Sequence, residues 1–92
     1  MEEQFDFGEA IRRLKDGRKV TRSGWNGENM FLFLTSGRTV KNDQERSFKH
    51  FEDQPEVVLR DHVDMRDAQG KYVSGWLASQ TDMLAEDWRE IK

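Results

Sequence analysis

The longest unbroken apolar run in this chain of 92 residues is Met30-Phe31-Leu32-Phe33-Leu34. Five residues fall far short of the roughly 20 that a membrane-spanning helix needs. A continuous run of that length, flanked by polar residues, fits a central strand covered on both faces. The rest of the chain must therefore supply strands for its two edges and a layer to cover it. One covering element is plain upstream: Phe7, Ala10, Ile11 and Leu14 recur at i, i+3, i+4 and i+7, one face of a helix over 7–16. Asp6 and Glu9 have capping-box spacing at its start, and Gly17 stands where a helix C-cap belongs.

Further strands are legible before and after the run. Lys19–Arg22 reads as a short strand with Val20 between charged neighbours, and Asn26-Gly27 after it is a strong hairpin signal because both residues tolerate positive φ. Val57 to Met65 alternates, with Leu59, Val63 and Met65 on one face and Arg60, His62 and Asp64 on the other. Asp67-Ala68-Gln69-Gly70 is a turn, and Lys71-Tyr72-Val73 returns as the partner strand. Ser79 with Asp82 three residues on caps a short helix through Leu84, and Asp87 to Ile91 supplies a last strand. The polar stretch from Thr35 to Pro55 reads as a long loop with one helical turn near Phe48 and Phe51. The expected architecture is α+β: one domain over 1–92, a small antiparallel sheet with an N-terminal amphipathic helix and a short second helix.

A domain of this length buries only about 60–65% of the surface its unfolded chain exposes. Charged residues make up 36% of it. Ten aromatics, three of them tryptophan, are nevertheless too many for a disordered tail. The expectation is a thinly stable fold that gains stability by oligomerising. Without cysteine, disulfide scaffolds, thiolate zinc sites and thiol catalysis are excluded. The acidic N-terminus has none of the basic and apolar regions of a secretion signal, so the expected location is the cytoplasm.

Net charge is −3, which argues against binding polymeric nucleic acid. The charge is uneven. Residues 12–22 carry Arg12, Arg13, Lys15, Arg18, Lys19 and Arg22 against Asp16, whereas 61–92 hold four bases and seven acids. The basic stretch reads either as a solvated helix end with an edge strand or as a local field for a small anion such as phosphate.

Signals for catalysis are weak. His62 and Asp64 share one strand face, as an acid–base pair or as a solvent-facing polar row. Asp82, Glu86 and Asp87 form an acidic group that reads as a magnesium site or as a helix cap and surface. No phosphate loop, dinucleotide fingerprint or nucleophile elbow is present. Binding has more to stand on. Trp25 and Trp76 each sit beside a glycine at a turn, where a flat ring suits stacking on a nucleobase, or closes a core or subunit interface. Asn26 follows the first, and Ser79, Gln80, Thr81 and Asp82 follow the second, with groups suited to ribose hydroxyls, base edges or phosphate.

FGEAIRRLKDGRKVTRSGWNGENMFLFL near the front and WLASQTDMLAEDW near the back, joined through HVDMRDAQGKYVSGW, resemble the phage Thoeris anti-defence two family. The resemblance spans nearly the whole chain except the segment at about 37–55. It implies a small α+β protein that assembles as a homotetramer and is not an enzyme. Such a protein sequesters cyclic ADP-ribose isomers, the signals of bacterial Thoeris immunity, without degrading them. Some members also hold cyclic dinucleotides at a separate site, and no cofactor or metal is implied. Carried onto this sequence, the family's end motifs point to Trp25 and Asn26, and to Trp76, Gln80, Thr81 and Asp82, as ligand contacts. Arg22 is a further candidate for phosphate, and Trp88 is placed in the core or interface. The alternatives are a nucleotide hydrolase using His62 with Asp64 or Asp82 with Asp87, and a protein-interaction module docking through exposed tryptophans.

Overall fold

The computed structural model describes residues 3–25, 29–41 and 55–92. Helix α1 (Phe7–Lys15) opens on Asp6, whose carboxylate accepts from the Glu9 backbone N–H at 2.9 Å. The other half of the expected capping box does not form, because the Glu9 carboxylate binds Arg12 and Arg13. It closes on Gly17, whose φ of +84° lies in the left-handed region that costs an L side chain about 1–2 kcal/mol. The helix is amphipathic: Ala10 and Leu14 are buried, and Arg12 and Lys15 stay in water.

Five strands form the sheet beneath it: β1 (Lys19–Arg22), β2 (Phe31–Thr35), β5 (His62–Arg66), β6 (Tyr72–Val73) and β7 (Trp88–Ile91). Their order is β6-β5-β2-β1-β7, antiparallel throughout, so the apolar run does occupy the central strand. Register decides which side chains meet α1. Val20 lies opposite Leu32, and Leu32 opposite Met65, so these three share the helix-facing side. Ala10, Leu14, Val20, Leu32 and Trp88 form the buried core, with Phe7, Ile11, Trp25, Met65 and Trp76 packed around it. The other face carries Phe31, Phe33, Thr35, His62, Asp64 and Arg66. That face is half-buried: Phe31 and Phe33 pack on each other, Phe33 also meets Tyr72, and Lys19 lies over the Phe31 ring. The expected cover on both faces of the run is not complete: within it only Leu32 is fully buried.

The structure corrects the sequence reading between β2 and β5. Within the stretch expected to be a loop, β3 (Arg38–Lys41) forms, and it pairs antiparallel with β4 (Glu56–Leu59) in a separate two-stranded ribbon. The alternating segment Val57 to Met65 is therefore two strands in two sheets, divided at Arg60-Asp61. Gly37 marks the crossing: a Cβ there would lie 2.4 Å from the Leu59 carbonyl oxygen, a distance backbone atoms cannot tolerate. Its N–H donates to Asp61 at 2.7 Å, fixing the root of the ribbon. The helical turn expected near Phe48 and Phe51 and the Asn26-Gly27 turn lie outside the described residues.

Helix α2 (Gln80–Leu84) begins with the expected capping box. Ser79 Oγ accepts from the Asp82 N–H at 3.1 Å, while Asp82 Oδ2 accepts from the Ser79 N–H at 3.2 Å. This single turn brings Asp82 under the tryptophans, and β7 then closes the sheet against β1. No helix among the described residues is long and apolar enough to cross a membrane.

Candidate functional site

Two sequence-distant turns meet where β1 ends and α2 begins. The first, residues 23–25, follows β1 and carries Trp25; the second, residues 74–79, follows β6 and carries Trp76. The two indoles contact each other edge-on, centroids 6.3 Å apart, and both meet Trp88, which is fully buried beneath them. Phe7 of α1 closes the group against Trp76 and Trp88. Edge-to-face rings at these separations contribute about 0.5–1.5 kcal/mol per pair beyond their buried area. Trp25 and Trp76 remain half-buried, so part of each side chain still meets solvent.

Asp82 ties the cluster to the backbone. It is 8% exposed, and Oδ1 accepts from Arg22 at 2.8 Å and from the Trp25 indole N–H at 3.1 Å. Oδ2 accepts from the Ser79 hydroxyl at 2.9 Å as well as from its N–H, and the Asp82 carbonyl accepts the Trp88 indole N–H at 3.0 Å. Burial by itself would raise the Asp82 carboxyl, but the donors from Arg22, Trp25 and Ser79 outweigh it and hold its pKa below the ordinary value. A carboxylate so saturated fixes the tryptophans in place; it is not a poised base.

Arg22 bridges two acids, donating through Nε to Asp87 at 2.8 Å and through Nη1 to Asp82. Asp87 in turn accepts the Gly24 N–H at 2.7 Å, which pins the Trp25 turn. Its carboxyl is held low, first by Arg22 and then, against burial, by the Gly24 N–H. The trio of Arg22, Asp82 and Asp87 carries a net charge of −1. The remaining arginines described in the basic stretch are likewise compensated from elsewhere: Arg12 by Glu9, Arg13 by Glu3, Glu9 and Glu90, and Arg18 by Asp16 and Glu90. Arg13 and Arg18 meet Glu90 in a polar cleft of about 420 Å3 between α1 and β7. Of the two readings of residues 12–22, the arginine pairing favours the surface reading over an anion-attracting field. β1 is not, however, the edge strand that reading expected: it lies between β2 and β7.

Among the expected contacts, the structure brings Trp25, Trp76, Asp82 and Arg22 together, and sets Gln80 and Thr81 on the exposed first turn of α2 beside them. Asn26 lies outside the described residues. His62 and Asp64 do meet, with Nε2 3.4 Å from Oδ1, but on the opposite face of the sheet from the tryptophans. Asp82 and Asp87, read as a possible magnesium pair, both hold Arg22, and no group of three or more potential metal ligands clusters among the described residues. The sequence reading missed the clamp that Asp87 places on Gly24. The only signal for it is the β1–β7 register, which sets Arg22 opposite Trp88.

Gly24 makes this clamp testable. A Cβ at residue 24 would lie 2.8 Å from Asp87 Oδ2 and 3.3 Å from Arg22 Nη2, so the carboxylate must withdraw. Gly24→Ala is expected to lower stability by about 1–3 kcal/mol, the range for a hydrogen bond to a charged group left unmade. Urea unfolding of Gly24→Ala, Asp87→Ala and the double variant checks it: the two losses should be clearly sub-additive, because both break the same bond. Strict additivity would mean that the contact contributes nothing.

Sequence comparison bears on the chain as a whole. Residues 5–91 match the family model described as the Thoeris anti-defense 2-like domain. The chain is also 43% identical over 88 residues to the Thoeris anti-defense 2 protein of Bacillus phage SP01, an alignment covering 96% of each chain. With helix, sheet and both tryptophan turns inside the matched span, this chain belongs to the Thoeris anti-defense 2 family.

Proposed function

We propose that this protein counters Thoeris immunity as a sponge: it binds a cyclic ADP-ribose isomer in the bacterial cytoplasm and holds it intact. The observation that carries the reading is the pair of half-open indoles, Trp25 and Trp76, fixed edge-to-face on a buried third tryptophan in a chain of this family. A ring already fixed by its neighbours loses little conformational freedom when a base stacks on its face. Asn26, Gln80 and Thr81 supply polar contacts to ribose and base edges, with Asp82 and Arg22 completing the rim from behind. The saturation of Asp82 and Asp87 supports retention without turnover. For a ligand of about 35 heavy atoms at ~0.3 kcal/mol per atom, the reachable affinity is roughly −10 kcal/mol, or tens of nanomolar, without covalent chemistry.

Leu77 and Leu84 are 91% and 79% exposed beside this site, and Met83 is half-exposed. Side chains of that kind in water support assembly of copies around the site, as a homotetramer whose subunits enclose the ligand. Cyclic dinucleotides are a second ligand class to be tried on the same protein.

The test is capture and release. Protein is mixed with a cyclic ADP-ribose isomer, free ligand is filtered away, the retained fraction is heat-denatured and the supernatant is chromatographed. Intact nucleotide in stoichiometric amount is expected. Trp25→Ala and Trp76→Ala, checked for folding by circular dichroism, should lose about tenfold or more in affinity, since base–aromatic stacking is worth about 1–3 kcal/mol. Trp25→Phe and Trp76→Phe keep a stacking ring and should lose less. Recovery of cleavage products would convert the reading to an enzyme, and no retained nucleotide would end it for this ligand.

A further inference from the structure

Residues 74–79 carry Trp76, yet after Val73 the strand ladder that should hold them stops. Met65 pairs with Val73 in β6, so continuing the register would set Gly75 opposite Val63. Gly75 instead turns out with φ at +87°, and nothing lies within 4 Å of where its Cβ would stand. Its N–H donates to the side chain of Asp64, Oδ1, at 2.8 Å. The next N–H, that of Trp76, returns to the Val63 carbonyl at 2.7 Å. Asp64 thus stands in for the missing backbone acceptor at the break, one residue before the indole. Its other oxygen accepts from the Thr35 hydroxyl on β2, and His62 flanks Oδ1. The carboxylate is mostly enclosed, and it sits on the face of the sheet away from the tryptophans.

We propose that Asp64 is a positioning residue: from the far side of the sheet it sets the residue 75–76 backbone, and thereby fixes the Trp76 ring for the ligand. Thr35 holds the carboxylate in line, so the chain of contact runs from β2 through β5 to the ring. The proposal rests on Trp76 facing ligand, so its test has one arm without nucleotide.

Amide exchange is measured on the free protein for the wild type, Asp64→Ala and Asp64→Asn. Nucleotide dissociation is measured on the same proteins. In Asp64→Ala, exchange at Gly75 and Trp76 should quicken about tenfold relative to core amides such as Val20 and Leu32, and ligand should leave about tenfold faster, the range for a lost hydrogen bond to a charged acceptor. Asp64→Asn keeps an oxygen for Gly75, and its amide can donate to a rotated Thr35 hydroxyl, so both values should return to within about threefold of wild type. Were Asp64→Ala not to fold, Asp64→Ser is read the same way, its hydroxyl being too short to reach Gly75. Unchanged exchange at Gly75 and Trp76 overturns the proposal. So does equal acceleration of every amide, which would make Asp64 a contributor to global stability alone. A wild type that captures no nucleotide defeats the sponge reading instead, while the exchange arm still judges Asp64.

Discussion

Asp82→Ala is expected to cost about 3–5 kcal/mol, the usual loss when one partner of a buried ion pair is removed and the other stays. For a chain of this length that is a large part of a total of roughly 5–14 kcal/mol. Four donors converge on the carboxylate: Arg22, the Trp25 indole, and the N–H and hydroxyl of Ser79. Alanine would leave the Trp25 N–H without its acceptor and Arg22 with Asp87 alone, and would remove the capping box of α2. Asp82→Asn should be milder, at about 1–3 kcal/mol. Its oxygen can still serve Arg22 and Trp25, but the Ser79 N–H then faces an amide NH2. Urea denaturation followed by tryptophan fluorescence checks both. An alanine variant within about 0.5 kcal/mol of wild type, the ordinary range for surface substitutions, would show that Asp82 does not organise the site.

Acid should unfold this protein through a small set of identified carboxylates. Asp64, Asp82, Asp87, Glu9 and Glu90 all have folded pKa values below their ordinary values of 3.8 for Asp and 4.5 for Glu. For Asp64 and Asp82, burial pushes upward and is outweighed, at Asp64 by the Thr35 hydroxyl, the Gly75 N–H and His62. At Glu90, Arg18 leads and Arg13 adds to it, and at Glu9 the donors are Arg12 and Arg13. The unfolded chain therefore takes up protons at a higher pH than the folded one. The stabilisation is complete above the unfolded values and drains away as pH falls through the folded ones. Folding free energy should be level from neutral pH to about pH 5 and drop steeply below about pH 4, with more than one proton taken up per molecule on unfolding. Urea titrations at stepped pH measure that uptake as a slope. Arg22→Met should flatten it, because Arg22 lowers both Asp82 and Asp87. A stability that held or rose on acidification would contradict the assignment.

Those carboxylates also show where reading the sequence succeeds. Helix α1, its Asp6 cap, its Gly17 stop and the Ser79–Asp82 capping box are local: every partner lies within a few residues, so spacing alone reveals them. β1, β2 and β7 were likewise legible, with β2 central, because an apolar run needs partners on both edges. β3 was not. Arg38-Thr39-Val40-Lys41 has one apolar residue, and its strand character comes from pairing with β4, more than a dozen residues away. The break at Arg60-Asp61 was hidden because the alternation keeps its parity across the switch between sheets.

The site divides in the same way. Glycine-flanked tryptophans and a capped turn with exposed Gln80 and Thr81 are sequence properties, and they single out the residues that converge here. What those residues do to one another is settled only by tertiary structure. Arg22, one of six bases in an eleven-residue stretch, becomes the bridge between Asp82 and Asp87, 60 and 65 positions away. Asp64, one polar position in an alternating strand, becomes the acceptor that ends a ladder. Local spacing fixes helix, turn and facing because backbone geometry repeats along the chain. The partner of a charge depends on register between strands and on the path of loops, and no local period records either.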